Sequence, residues 1–155
     1  MNEKALRILE YPKIISLLME KASSEPGKEL CQKLTPMTDI AQIEEAQQQT
    51  ADAFNRLVKG GRIHFSGNKD LRFSIRSLEI GSPLSASELI KIAASLACAT
   101  RAKAFARSEH DEETQDSLQT FFADLEPLTP LQNEINRCIL SEEEIADDAS
   151  STLKH

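Results

Sequence analysis

The stretch ASSEPGKEL, Ala22 to Leu30, places a Gly-Lys pair behind a serine- and proline-containing turn, the residue types of a phosphate-binding loop. Such a loop has the form G-x-x-x-x-G-K-[ST]: the glycines let backbone N–H groups close on the phosphates, and the hydroxyl sits on Mg²⁺. Here Ala22 stands where the first glycine belongs and Glu29 where the hydroxyl belongs. A carboxylate at that point repels phosphate and leaves the metal without its ligand. The residues upstream also carry helical periodicity, not that of the apolar strand that feeds such a loop. The segment instead has the signature of a helix start, with Ser24 as N-cap, Glu25 against the positive end of the dipole and Pro26 in the first turn.

Other chemistry-bearing residues fall short of a constellation. His64, His110 and His155 have no second His or Cys at i+3 or i+4, the spacing a zinc site uses on a helix. Cys31, Cys98 and Cys138 are odd in number and far apart, and each falls in a predicted helix, so they read as reduced core or boundary thiols. The run Glu142, Glu143, Glu144, Asp147 and Asp148 offers carboxylates to a cation but reads as a solvated edge. Glu44-Glu45 and Glu112-Glu113 are adjacent, not paired across a cleft, and no G-x-S-x-G elbow is present. No catalytic residue, metal site or cofactor is expected within the chain. One signal survives: Lys59, Arg62, Lys69, Arg72 and Arg76 surround a loop and a short helix with only Asp70 among them. Mobile cations on one face suit phosphate contact, which makes Arg62, Lys69, Arg72 and Arg76 the candidate nucleic-acid-binding residues. The competing reading pairs them with the acidic last third of the chain.

The charge pattern behind that choice is uneven. Residues 59–107 carry nine Lys and Arg against three Asp and Glu, whereas residues 108–155 carry two against thirteen. The net charge of −7 therefore hides a basic middle and an acidic end. At 155 residues the chain is one domain's worth, and 40% hydrophobic with 28% charged residues is ordinary for a globular protein. With no run of 18 apolar residues and no signal-peptide h-region, neither membrane insertion nor secretion is expected, and the cytoplasm is.

The elements that must position these residues are helical throughout. Leu6 and Leu9 begin an apolar stripe that breaks at Tyr11-Pro12 and resumes at Ile14, Ile15, Leu17, Leu18 and Ala22. A helix from Pro26 stops near Thr35-Pro36; Asp39, with Gln42 at the reciprocal position, opens a long one ending at Gly60-Gly61. Its expected seam is Ile40, Ile43, Gln47, Thr50, Phe54 and Leu57. RIHFSGNKD comes next as a loop, with room for a short extended piece at Ile63–Phe65. Asp70 is placed to cap a helix bearing Leu71, Ile75 and Leu78. The box Ser85-Ala86-Ser87-Glu88 then opens a helix to about Arg107, whose Ala93, Ala97 and Ala104 should admit a close neighbour. SEHDEETQD, Ser108 to Asp116, reads as a loop or a frayed helix end. Leu118, Phe121, Phe122 and Leu125 form a further helical face, and Thr129 is expected to cap a helix carrying Leu131, Ile135, Cys138 and Ile139. The last residues show no C-cap, as at an interior point of a longer protein.

The order of motifs resembles the N-terminus of the bacterial MutS-II family: LEY at Leu9–Tyr11, ASS with GKEL at Ala22–Leu30, LTP with D-I at Leu34–Ile40, DLR at Asp70–Arg72, EIG at Glu79–Gly81 and LSASEL at Leu84–Leu89. It continues through LQNEINRCI at Leu131–Ile139 and EIADDAS at Glu144–Ser150. Phe73, where the family often has proline, and Ser141-Glu-Glu-Glu, where it often has a glycine-containing turn, depart from the pattern. The resemblance implies an all-α, irregular multi-helix bundle: residues 1–125 as the first part of a MutS-like core, and 126–155 as a helix and acidic junction leading to lever and clamp arms, with a helix from about Ser151 running on into them. It also implies a full-length homodimer with an ATPase domain using ATP and Mg²⁺ and an Smr endonuclease domain, none of whose motifs lie in these residues. Such proteins bind branched DNA, restrain recombination and act on collided ribosomes. The segment itself is then non-catalytic and able to remain a monomer. A free-standing helical adaptor, binding protein partners through the alanine-rich face, is the alternative.

Overall fold

Pro12 cannot sit in a helix interior, and the chain breaks just ahead of it: α1 (Glu3–Ile8) and α2 (Tyr11–Lys21) are divided at Glu10, which takes a left-handed conformation at φ 53°. A computed structural model describes residues 3–108, 116–150 and 152. Ser24 caps α3 (Glu25–Gln32), its Oγ accepting from the Gly27 N–H at 3.2 Å. Asp39 caps α4 (Ile40–Gly60) through the Gln42 N–H at 3.1 Å, and Gly61 ends it at φ 82°, a conformation that favours glycine. The Asp70 carboxylate accepts the Arg72 N–H at 3.0 Å and so opens α5 (Arg72–Glu79) from one position before the cap residue, Leu71. The Ser85–Glu88 box is complete: Glu88 accepts the Ser85 N–H at 2.8 Å and the Ser85 hydroxyl accepts the Glu88 N–H at 3.3 Å, opening α6 (Ala86–Ser108). α7 (Gln119–Ala123) and α8 (Thr129–Cys138) complete an all-α chain. Among the described residues the only β-pairing is an isolated bridge, Ile139 with Ile145.

The organising element is α6. It packs most extensively on α8, and also on α7, while α2 packs on α3 and α1 on α2. Its small residues are what the core is made of: Ala93, Cys98, Ala102 and Ala106 are buried, together with Ile135 of α8 and Ala146 beyond it. Ala93 fulfils the sequence expectation, but Ala97 is half-buried and Ala104 exposed. At about 100° per residue, Cys98, Ala102 and Ala106 share one side of α6 and Ala93 faces away from them. The helix is thus covered on two sides, not along the single stripe the alanines suggest. Gly67 lets the 61–71 loop lie against α6, since a Cβ there would meet the Ala94 carbonyl oxygen at 3.0 Å. The Lys69 N–H donates to Ser95 Oγ at 3.0 Å in the same contact, and the expected extended piece at Ile63–Phe65 stays irregular.

Two other expectations change. Thr129 does not cap α8 but is its first residue. Leu128, left-handed at φ 42°, turns the chain into the helix without a side-chain cap. On α8 Ile135 is buried and Ile139 half-buried, whereas Leu131 is exposed. Arg137 anchors the segment beyond α8, donating to the carbonyls of Asp148 at 2.9 Å and Ala149 at 3.3 Å. The helix expected from Ser151 and most of the acidic SEHDEETQD loop lie outside the described residues.

The buried set is small for the chain length. The accessible area is 11,799 Å², where a compact monomer of this mass exposes about 7,800 Å². Large apolar side chains lie open on several helices, including Ile14 and Leu17 of α2, Phe54 and Val58 of α4 and Phe73 of α5. With so little core, each buried contact carries a large share of the stability. Ile135→Ala should cost about 2–5 kcal/mol in urea denaturation, as core truncations do, while Leu131→Ala, removed from an exposed position, should shift the midpoint little.

Candidate functional site

The basic residues singled out in the sequence divide into two groups. Arg62 and Lys69 project from the exposed loop and Arg76 from α5, and none of the three forms an ion pair with a described residue. Lys59 is exposed at the end of α4. Arg72, in contrast, is fully engaged by carboxylates. Its guanidinium donates to Glu29 of α3 at 2.6 and 3.3 Å and to Asp70 at 2.6 and 2.9 Å. Lys33 joins the same cluster through Glu29 at 2.6 Å. Hydrogen bonds from Arg72 hold both carboxyls near a pKa of about 2, with Lys33 assisting at Glu29. The pairing raises the Arg72 pKa in turn. Two cations and two carboxylates cancel, so Arg72 bridges α3 to α5 and has little charge left for a phosphate. Its partners come from residues 29 and 70, not from the acidic last third.

The cluster also decides the turn ahead of α3. The Gly27 N–H, which a phosphate loop would aim at its ligand, is taken by Ser24 Oγ, and Ser24 is itself buried. Glu29 is committed to Arg72 and Lys33. These residues do not fit a nucleotide phosphate. Among the described residues, no group of three or more His, Cys, Asp or Glu is placed to hold a metal ion.

A second polar centre is not visible in the sequence pattern. Arg56 of α4, with only 8% of its side chain exposed, donates to both oxygens of Asp116 at 2.5 and 2.7 Å and to Gln119 Oε1 at 3.2 Å. Its guanidinium lies over the Phe122 ring at 4.9 Å, and Phe122 meets Phe105 of α6 at 6.4 Å. One turn earlier on α4, Asp52 accepts the Ser117 hydroxyl at 2.6 Å and its N–H at 3.0 Å. Asp116 also accepts the Leu118 N–H at 3.0 Å, shaping the start of α7. The available clue is Asp52 and Arg56 at i, i+4, an opposite-charge pair on one helix face; their shared partner segment lies about sixty residues downstream.

The chain has relatives among known proteins by sequence. The chain is 49% identical to Endonuclease MutS2 of Lachnoclostridium phytofermentans over 159 aligned positions, which cover 99% of this chain and 20% of that protein. It is 46% identical to Endonuclease MutS2 of Agathobacter rectalis and 39% identical to that of Lachnospira eligens, again over 99% of the chain and 19% of each relative. The resemblance to the MutS-II family holds along the whole chain. No protein-family model matches it. The chain spans about a fifth of the length of these MutS2 relatives, which are enzymes by name. No described helix is long and apolar enough to cross a membrane.

The Arg56–Asp116 centre makes stability pH-dependent with a definite sign. Asp116 is held below the ordinary aspartate range chiefly by the Arg56 hydrogen bond, and Asp52 chiefly by the Ser117 hydroxyl. In the unfolded chain both return to about 3.9. The stabilisation is therefore complete at neutral pH and is lost as pH falls from about 4 through the lower folded values. Thermal melts should show this acid limb. Asp116→Ala should cost about 3 kcal/mol at pH 7, because it removes the carboxylate that a buried guanidinium grips at both oxygens, and should flatten the limb. Part of the limb should survive in the variant, since Glu29 and Asp70 still titrate near 2.

Proposed function

We propose that this chain is a non-catalytic, structural part of the core of a MutS2-type protein. The observation that carries the reading is similarity over 99% of the chain to a fifth of each relative. Residues 1–125 form the first part of the core. Residues 126–155 lead toward lever and clamp arms, so the segment relays the state of an ATPase domain to arms that grip nucleic acid. ATP and Mg²⁺ belong to that domain, and strand cleavage to an Smr domain, both outside these residues. The complete protein is a cytoplasmic homodimer that binds branched DNA, restrains recombination and acts on collided ribosomes. The resemblance and the names of the relatives support this reading.

Within the chain, Arg62, Lys69 and Arg76 form the nucleic-acid contact, and Arg72 holds the helix that presents Arg76. The free cations on the 61–71 loop and α5 support this division of roles.

Two measurements test the proposal. The purified chain should hydrolyse neither ATP nor branched or single-stranded DNA; turnover that follows the chain through successive columns would overturn the structural reading. In fluorescence anisotropy, three phosphate contacts give a logarithmic salt slope of about −2.1 for single strands and −2.7 for duplex. Affinity should then fall about 20- to 40-fold between roughly 50 and 200 mM salt. Reversing Arg62 and Arg76 to Glu should abolish binding and leave the melting temperature in place. Unchanged affinity in that variant would remove these residues from any interface.

A further inference from the structure

α4 is a 21-residue helix along which no other described helix packs closely. Its polar anchors, Asp52 and Arg56, face α7. At about 100° per residue, Ile40, Gln47, Ala51, Phe54 and Val58 fall within a narrow arc on the opposite side. All five are exposed, Ile40 at 72%, Phe54 at 66% and Val58 at 67%. This arc overlaps the seam expected from sequence: Ile40, Gln47 and Phe54 are shared, Thr50 and Leu57 beside them are exposed, Ile43 next to Phe54 is half-buried, and Val58 and Ala51 widen the open face. A helix held on one face by a buried ion pair and apolar on the other has the two-sided character of an interior helix.

We propose that this stripe is the seat of an apolar helix face from the remaining polypeptide of a MutS2-type chain, packing in cis. The inference rests on reading the chain as part of such a protein. Two observations select this occupant over a second copy of the chain. The MutS2 relatives carry about four fifths of their length outside the aligned residues, so ample polypeptide exists to cover the stripe. Open apolar side chains also lie on other helices, such as Leu17 of α2 and Phe73 of α5. Two copies pairing through α4 would leave those in water, whereas several elements of a long polypeptide can cover them together. The partner face should be uncharged at its centre, because Gln47 and Ala51 sit mid-stripe and offer no counter-charge. It should also supply one polar group for the Gln47 amide, since a buried amide without a partner is costly.

The test compares the isolated chain with a hybrid in which it replaces the aligned segment of the Lachnoclostridium phytofermentans protein. In the isolated chain, sedimentation velocity should show a monomer, Val58→Cys should react with maleimide at the rate of an exposed thiol, and Phe54→Glu should leave the melting temperature unchanged. In the hybrid, labelling of Val58→Cys should slow at least tenfold and Phe54→Glu should lower the melting temperature by several degrees, with Phe54→Leu restoring it. Equal labelling in both proteins, or a hybrid that does not fold, would overturn the inference. So would an isolated chain that dimerises and is returned to a monomer by Phe54→Glu, which would place a second copy on the stripe. A melting temperature lowered by Phe54→Glu in the isolated chain would also overturn it, by showing the stripe already covered. Catalytic turnover by the isolated chain bears on the structural reading alone and leaves these labelling rates unaffected.

Discussion

α4 has no described helix packed along it, so its rotation about its own axis is set by polar chemistry. The Arg56 guanidinium reaches both oxygens of Asp116, touches Gln119 and covers the Phe122 ring, and a planar fork satisfied on that many sides admits one orientation. Asp52 repeats the attachment one turn away through Ser117. Buried ion pairs add little net stability compared with apolar packing of the same shape, but losing one partner is severe. In this fold their effect is directional. They decide which side of α4 meets the α6–α7 region and which is left open, and the exposed stripe is the result of that choice.

Legibility in the sequence tracks the range of the interactions. Caps are legible at Ser24, Asp39 and the Ser85–Glu88 box because donor and acceptor are three residues apart and compete with nothing distant. Thr129 misleads because Pro130 and the left-handed Leu128 turn the backbone before a hydroxyl is needed. Periodicity locates the helices, yet on α6 the alanines mark several faces and only tertiary contacts choose Ala102 and Ala106 over Ala97 and Ala104. Arg56 with Asp116, and Arg72 with Glu29, join residues about sixty and forty positions apart. Composition counts those charges without showing that they meet.

The same distinction applies to the basic middle of the chain. Five cations in eighteen residues look like one patch, but charge counts treat every guanidinium alike. Arg72 is held in place by two carboxylates and serves the architecture between α3 and α5. The remaining cations sit around a loop that Gly67 and Ser95 fasten to the central helix. The loop is thus tied at its middle, and its cations are displayed from a defined surface.

The attachment of α4 has a mechanical side. Both anchors lie in the second half of the helix, at Asp52 and Arg56, so the helix is a beam clamped near one end. Ile40 stands sixteen residues from Arg56, an arm of about 24 Å. A tilt of roughly 5° at the clamp sweeps the tip through about 2 Å, more than one helical residue rise. A sub-ångström adjustment around Asp116 is thereby magnified at Thr38 and Asp39, where the chain enters from α3. An element built this way gains displacement with distance, and the ion pair acts as its fulcrum.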